Sequence, residues 1–225
     1  MFTPFIKQVN SHQFSARCMV FLCGIICSIC IAPLSAQHTV KTGIEVLIEQ
    51  DFKAIEGMRV GLITNVTGVN SELISTIDLL NNAENVQLVA LYGPEHGVRG
   101  DYAAGDKVES YTDQSTGLPV YSLYGATRKP TADMLEGVDV LVYDIQDIGV
   151  RSYTYISTMG YAMEAAAELG IPFVVLDRPN PLGGMKVEGG LVELEFESFV
   201  SAFPIPYVYG LTPGEVARMI NDKGW

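Results

Sequence analysis

Four continuous apolar runs constrain the fold of this chain more than any other feature of its sequence. They span residues 58–64, 86–92, 138–145 and 171–176. An apolar run without polar alternation is typical of a strand that is buried on both faces. Segments with helical spacing of apolar residues lie before the first run, at 44–55, and between later runs, at 73–80 and 153–169. This alternation predicts an α/β fold, in which helices cover both faces of a parallel sheet.

The remaining segments are predicted to be caps, loops and short elements. Thr42 is expected to cap the first helix, and Thr212 to cap a last helix that has Pro213 at its first position. A polar loop is expected over residues 93–117, a short strand at 120–123 and a short helix at 131–135. A parallel sheet needs a further strand after the last helix, so we expect the domain, residues 37–225, to be truncated at its C-terminus.

The first 36 residues have the order of a signal peptide. Their only charges are Lys7 and Arg17, an apolar run follows at 19–32, and the segment ends in the small residue Ala36. We therefore expect an exported protein, periplasmic or secreted, with an uncleaved anchor as the alternative. All four cysteines lie in this segment, so the mature chain would have no disulfide and no thiolate.

Charge and missing motifs exclude several classes of function. A formal net charge of -12 argues against nucleic acid as the partner. No G-x-G-x-x-G follows the first strand, and the chain has no P-loop and no G-x-S-x-G elbow. We expect no cofactor and no metal. A metal-dependent hydrolase with His96, Asp101 and Asp106 as ligands is a weaker alternative, because a lone histidine makes a poor metal site.

Polar residues follow each of the four apolar runs that are predicted to be strands, at its C-terminal end. In chain order they are Asn65 and Thr67, then Glu95 and His96, then Asp144, Gln146, Asp147 and Arg151, and then Asp177, Arg178 and Asn180. In open parallel sheets, ligands bind in the crevice outside the carboxyl ends of the strands. The sequence therefore predicts a binding site at this edge, although polar loops also follow strands for solubility alone.

Glu95 is the strongest candidate for catalysis. It lies in Gly93-Pro94-Glu95-His96-Gly97, where proline stiffens the chain and the glycines permit tight turns. A rigidly held carboxyl group is what general acid catalysis needs, and a loop-stabilising glutamate is the alternative. Asp144 and Asp147 are candidates for a second carboxylate, although one of them could instead form a structural ion pair with Arg151.

Arg151 and Arg178 are candidates for binding a substrate carboxylate, because a guanidinium group can grip a carboxylate through two hydrogen bonds. Either arginine could instead pair with Asp177. Tyr153 and Tyr155 suit stacking against a sugar, or they simply begin a helix.

Five motifs resemble the exo-β-N-acetylmuramidase family, formerly of unknown function, and they occur in the family's order. They are Gly61-Leu62-Ile63-Thr64-Asn65 with Thr67-Gly68-Val69, the Glu95 motif, Tyr143-Asp144-Ile145-Gln146-Asp147-Ile148-Gly149, Tyr153-Thr154-Tyr155 and Asp177-Arg178-Pro179-Asn180-Pro181. The resemblance implies a Rossmann-like domain, here without the family's second, C-terminal domain, which completes the cleft.

The resemblance also implies a function, namely release of N-acetylmuramic acid from the non-reducing ends of peptidoglycan-derived MurNAc-GlcNAc saccharides. Glu95 would be the catalytic carboxyl, His96, Gln146, Arg151 and Asn180 would line the sugar site, and Arg151 or Arg178 would bind the lactyl carboxylate. The family pattern has a histidine where this chain has Tyr209. The mechanism is left open between retention, inversion and participation by the substrate's acetamido group. The alternative function is an exported, non-catalytic sugar- or peptidoglycan-binding protein.

Overall fold

The computed structural model describes residues 40–103 and 109–225 of the chain. The predicted signal peptide and Asp106 lie outside the described residues. Within them, no helix is both long enough and apolar enough to cross a membrane.

The apolar runs form the central strands of a sheet. Its described strands are β1 (Arg59–Thr64), β2 (Gln87–Gly93), β3 (Tyr111–Thr112), β4 (Pro119–Ser122), β5 (Val140–Asp144) and β6 (Phe173–Val175), and their spatial order is β3-β4-β2-β1-β5-β6. All neighbouring pairs are parallel except β3 and β4. The predicted parallel sheet is confirmed. The two-residue strand β3 lies inside the segment that was predicted to be a loop.

Helices cover both faces of this sheet, as predicted. The described helices are α1 (Gly43–Glu49), α2 (Thr76–Asn81), α3 (Tyr155–Leu169) and α4 (Pro213–Lys223), with short 3₁₀ turns at Lys53–Ile55, Asp133–Leu135 and Leu194–Phe196. One apolar cluster joins Ile63 and Leu141 of the sheet to α3 and α4, and another joins Leu62 and Val142 to α1 and α2. Successive strand residues point to opposite faces, which explains why Leu62 and Ile63 belong to different clusters.

Two helices are shorter than the sequence predicted, for a backbone reason. Asp51 and Phe52 have φ values of 52° and 55°, so the helix predicted over 44–55 ends at Glu49. Leu73 has a φ of 61°, and the helix predicted from residue 73 begins only at Thr76. At α4 the cap is as predicted, because the Thr212 side chain accepts a hydrogen bond from the Glu215 N–H at 3.2 Å.

Candidate active site

The C-terminal ends of β1, β2, β4 and β5 lie side by side and bring the predicted residues to one rim of the sheet. Thr64 is in register with Asp144, and Gly93 is in register with Ser122. The chain therefore leaves the sheet at neighbouring points just before Asn65, Glu95 and Gln146.

Glu95 lies in a tight turn directly after β2. The Gly97 N–H donates to the Pro94 carbonyl at 3.0 Å, and His96 has a φ of 74°, in the left-handed region that few non-glycine residues adopt. The His96 Nδ1 lies 3.1 Å from the Tyr102 carbonyl oxygen. The Glu95 side chain is half-buried and therefore remains within reach of a ligand.

Tyr124 hydrogen-bonds to Glu95 from the neighbouring strand end. This bond raises the pKa of the Tyr124 hydroxyl, so the tyrosine remains a proton donor to the carboxylate. The Tyr124 N–H donates to the Ser122 hydroxyl at 3.3 Å, which fixes the turn after β4. Tyr124 is not among the predicted site residues, although its position after the short strand at 120–123 is the same signal that points to Glu95.

Asn65 and Tyr155 lie on the same side of the rim as Glu95. The buried Asn65 hydrogen-bonds to the Tyr155 hydroxyl, and Glu95 is close enough to act on that hydroxyl electrostatically. Burial is the largest cause that raises the pKa of Tyr155, so its proton is retained. Tyr153 is 47% exposed and meets the Tyr155 ring edge-on, with the ring centroids 6.4 Å apart. The structure thus brings Asn65, Glu95, Tyr124 and Tyr155 together.

Asp147 is buried and is bound to protein groups. Its Oδ1 accepts hydrogen bonds from the Tyr209 hydroxyl and, at 2.7 Å, from the Gly149 N–H, while Oδ2 is buried without a partner. Burial raises the pKa of this carboxyl group. Tyr209, the position at which the resemblance implies a histidine, serves as a hydrogen-bond donor to Asp147.

Asp144 pairs with Arg178 and not with Arg151, the partner that the sequence analysis considered. Arg178 Nε donates to Oδ1 at 2.6 Å and Nη2 donates to Oδ2 at 3.0 Å, and the Thr76 hydroxyl also donates to Oδ2. The side chains of Asp144 and Arg178 are 0% and 5% exposed. Because both groups are sealed from solvent, this geometry favours a structural ion pair over the catalytic carboxyl and the substrate-binding guanidinium group predicted from the sequence.

Asp177, Asn180 and Gln146 bind other parts of the chain. Asp177 accepts hydrogen bonds from the Gly214 N–H at 2.8 Å and the Thr212 hydroxyl at 2.7 Å, so it holds the start of α4. The Asn180 amide donates to the Leu211 carbonyl, and the Gln146 amide donates to the carbonyls of Asp147 and Pro179. These contacts favour structural roles over the substrate-binding roles predicted for the three residues.

Arg151 anchors the irregular segment before α4. Its Nη1 donates to the Gly190 and Ile205 carbonyls, at 2.9 Å and 2.5 Å, and its Nε donates to the Ser201 hydroxyl at 3.2 Å. The residue is half-buried, and Nη2 has two further N–H groups that could bind a ligand. In the described residues, no group of three or more His, Cys, Asp and Glu side chains is placed to hold a metal ion.

Comparisons with known proteins show what this chain is similar to. The family model described as exo-beta-N-acetylmuramidase NamZ, N-terminal, matches residues 60–225. The chain is 54% identical, over 205 residues, to the peptidoglycan beta-N-acetylmuramidase NamZ of Bacillus subtilis (strain 168), an alignment that covers 89% of this chain and 50% of the relative.

Two crystal structures of DUF1343 family proteins from Bacteroides fragilis have the same fold. The first is 68% identical with a TM-score of 0.77, and the match covers 82% of this chain and 46% of that protein. The second is 35% identical with a TM-score of 0.71, and the match covers 82% and 47%. The chain thus spans about half the length of the relatives that it matches.

Proposed function

This chain belongs to the exo-beta-N-acetylmuramidase NamZ family, and on that premise we propose that the protein releases N-acetylmuramic acid from the non-reducing ends of peptidoglycan fragments. The resemblance seen in the five sequence motifs is confirmed. Because the chain spans about half the length of its relatives, the activity is proposed for the protein that contains this chain, with a second domain completing the cleft.

The position of Glu95 is the observation that carries this proposal. Its carboxyl group is half-buried on a strained turn, and the Tyr124 hydroxyl fixes it from the side. A general acid must stand within hydrogen-bonding reach of the leaving oxygen in one orientation, and this arrangement supplies that constraint. Glu95 would donate its proton to the glycosidic oxygen as the bond to the muramic acid breaks.

Participation by the acetamido group is the mechanism that the site favours. Glycosidases that use two carboxylates need both of them beside the scissile bond. Asp144 is sealed in its ion pair with Arg178, and Asp147 is buried on Tyr209. With both candidates for the second carboxylate bound to protein groups, the carbonyl oxygen of the substrate's own acetamido group is the nucleophile that we propose.

Arg151 is the guanidinium group that we propose for the lactyl carboxylate of muramic acid. Arg178 is buried and already paired with Asp144. Arg151 is half-buried, and its hydrogen bonds to Ser201, Gly190 and Ile205 are donated by Nε and Nη1 and not by Nη2. A carboxylate on an accessible guanidinium group forms a strong, directional hydrogen bond.

A pair of chromogenic glycosides tests the proposal. The full-length protein should release the chromophore from the N-acetylmuramic acid glycoside and leave the N-acetylglucosamine glycoside intact. Glu95→Gln should lower turnover about 10²- to 10⁴-fold, the usual contribution of general acid–base catalysis. Glu84→Gln changes an exposed glutamate away from the rim and serves as the matched control.

The outcomes separate the proposed enzyme from its alternatives. Cleavage of only the N-acetylglucosamine glycoside would refute the substrate assignment. Binding of muramic acid saccharides with equal affinity by the wild type and Glu95→Gln, without turnover by either, would identify a non-catalytic binding protein.

We further propose that the protein is exported to the periplasm or secreted. The support is the order of charge, apolar run and small residue in residues 1–36. Cell fractionation, with mass spectrometry of the mature N-terminus, tests this. Retention of the intact N-terminus in the cytoplasm would overturn the proposal.

A further inference from the structure

A chain of hydrogen bonds with a fixed direction runs from the loop after β5 to Tyr155. It begins at the Gln146 backbone N–H, which can only donate and which does so to the Thr67 hydroxyl oxygen at 3.0 Å. The Thr67 hydroxyl has one proton and directs it to Asn65 Oδ1 at 2.5 Å. In these two hydrogen bonds, the chemical nature of the groups therefore determines which atom donates and which accepts.

The orientation of the Asn65 amide is fixed in the same way. The Thr67 backbone N–H also points at Asn65 Oδ1, at 2.9 Å, and an N–H cannot donate to an NH₂ group. Oδ1 must therefore face Thr67, and the NH₂ group of Asn65 is the part that bonds the Tyr155 hydroxyl. Asn65 is 4% exposed, so solvent does not compete for these bonds.

The Tyr155 hydroxyl consequently accepts from Asn65 and has its own proton left to donate. Tyr155 is half-buried at the first turn of α3, and its backbone carbonyl accepts a hydrogen bond from the Tyr143 hydroxyl at 3.3 Å, which holds this turn against β5. Glu95, in the turn after β2, is a charged group that acts on this hydroxyl. A donor with a preset direction thus stands beside the proposed general acid.

We propose that Tyr155 is a further catalytic residue, which donates its phenolic hydrogen bond to the acetamido carbonyl oxygen of the sugar bound at Glu95. This inference rests on the proposed function. The tyrosine keeps its proton throughout and holds the carbonyl oxygen in line with the anomeric carbon. Asn65 and Thr67 act through Tyr155 and are positioning residues.

Two substitutions test the direction of this chain of hydrogen bonds. Tyr155→Phe removes the donor and should lower kcat about 10²- to 10³-fold, as the loss of one preorganised donor does in other enzymes. Asn65→Asp replaces the NH₂ group with an acceptor, which should draw the Tyr155 proton away from the substrate. At neutral pH the loss for Asn65→Asp should therefore match that for Tyr155→Phe.

The pH profile separates this role from a structural one. When the carboxyl group introduced by Asn65→Asp is protonated at low pH, it can again donate to Tyr155, so activity relative to wild type should recover as pH falls toward about 4. The deficit of Tyr155→Phe should stay constant with pH. Glu95, Asp147 and Tyr153, the other titratable groups that act on this hydroxyl, are present in all three proteins, so each variant is compared with the wild type at the same pH.

Tyr161→Phe, on the same helix and away from the rim, is the matched control, with thermal melts of every variant. An inactive wild type would refute the proposed function itself and is distinct from the following outcomes. If the wild type is active and the kcat of Tyr155→Phe lies within about threefold of the wild-type value, the catalytic role of Tyr155 is overturned. A constant deficit for Asn65→Asp at every pH would overturn the directed chain, and recovery at low pH supports it even if Tyr155→Phe fails to fold.

Discussion

The rim of the sheet has two halves that look alike in the sequence and differ in the structure. The open half consists of Asn65, Glu95, Tyr124 and Tyr155. In it Asn65 is buried and the other three side chains are half-buried. The sealed half, Asp144, Asp177, Arg178 and Asn180, has its polar groups bonded to the protein itself. A polar cluster after a strand is therefore not enough to mark a catalytic group.

The physical reason for the difference is the cost of burying charge. A buried carboxylate is tolerated only when its oxygens accept strong hydrogen bonds, and Asp144 has Arg178 and Thr76 for this purpose. Such a buried and paired carboxylate contributes to the stability of the fold and is not accessible to a substrate. Glu95 is half-buried, so water and ligand can reach it. The comparison can be tested with variants on each half.

Arg178→Met should have the largest effect on the free energy of unfolding. It leaves the Asp144 carboxylate buried without its partner, and breaking one side of a buried pair typically costs about 3–5 kcal/mol. Urea denaturation monitored by circular dichroism measures the loss. Arg59→Met breaks the exposed pair with Asp139 and should change the midpoint little. Equal losses in the two variants would show that the sealed half is not the structural one.

Asp177→Ala should have the next largest effect, because it removes the acceptor at the start of α4. The Gly214 N–H and the Thr212 hydroxyl each lose a partner, and the loss of a helix cap costs about 1–2 kcal/mol. Hydrogen exchange of the α4 amides should rise more than that of the α3 amides. Unchanged protection of α4 would contradict the capping role.

Tyr124→Phe, on the open half, should lower kcat about three- to tenfold and leave the unfolding midpoint unchanged. The variant loses the hydrogen bond that holds the Glu95 carboxyl group in one orientation. Because a carboxyl group that can rotate is less often in line with the leaving oxygen, the loss should appear in kcat and leave KM unchanged. A kcat equal to that of the wild type, or a large loss of stability, would place Tyr124 with the sealed half.

Asp147→Asn should have the smallest effect of the four variants. We expect this effect in the pH dependence of the free energy of unfolding. Burial raises the folded-state pKa of Asp147 above its unfolded value, so the folded state favours the protonated form. The wild type should therefore lose stability as pH rises from about 4 through that pKa, and the variant should lose less. Urea midpoints between about pH 4 and 7 test this. Parallel curves for the two proteins would exclude Asp147 as the source.

The sequence was sufficient to predict the sheet, the helical layers and the position of Glu95. These follow from short-range patterns, since apolar runs and strand ends are visible residue by residue. The Thr212 cap was predicted in the same way, because a helix cap is formed by residues that are close in the sequence. The family was visible in motifs, and the comparisons confirm it.

The sequence did not show which polar residues from distant segments pair with each other. Asp144 binds Arg178, which is 34 residues away, and nothing in the sequence favours Arg178 over Arg151 as its partner. Tyr124 was missed because its partner Glu95 lies on another strand end. The break of the first helix after Glu49 depends on positive φ values that composition does not show.

The sequence by itself determined which segments become strands and helices, and which polar residues reach the rim, because burial and backbone preferences act locally. The tertiary structure alone decided which of those residues are sealed and which are open. That choice depends on whether a partner from a distant segment satisfies each charge, and only the folded chain brings such partners within hydrogen-bonding distance.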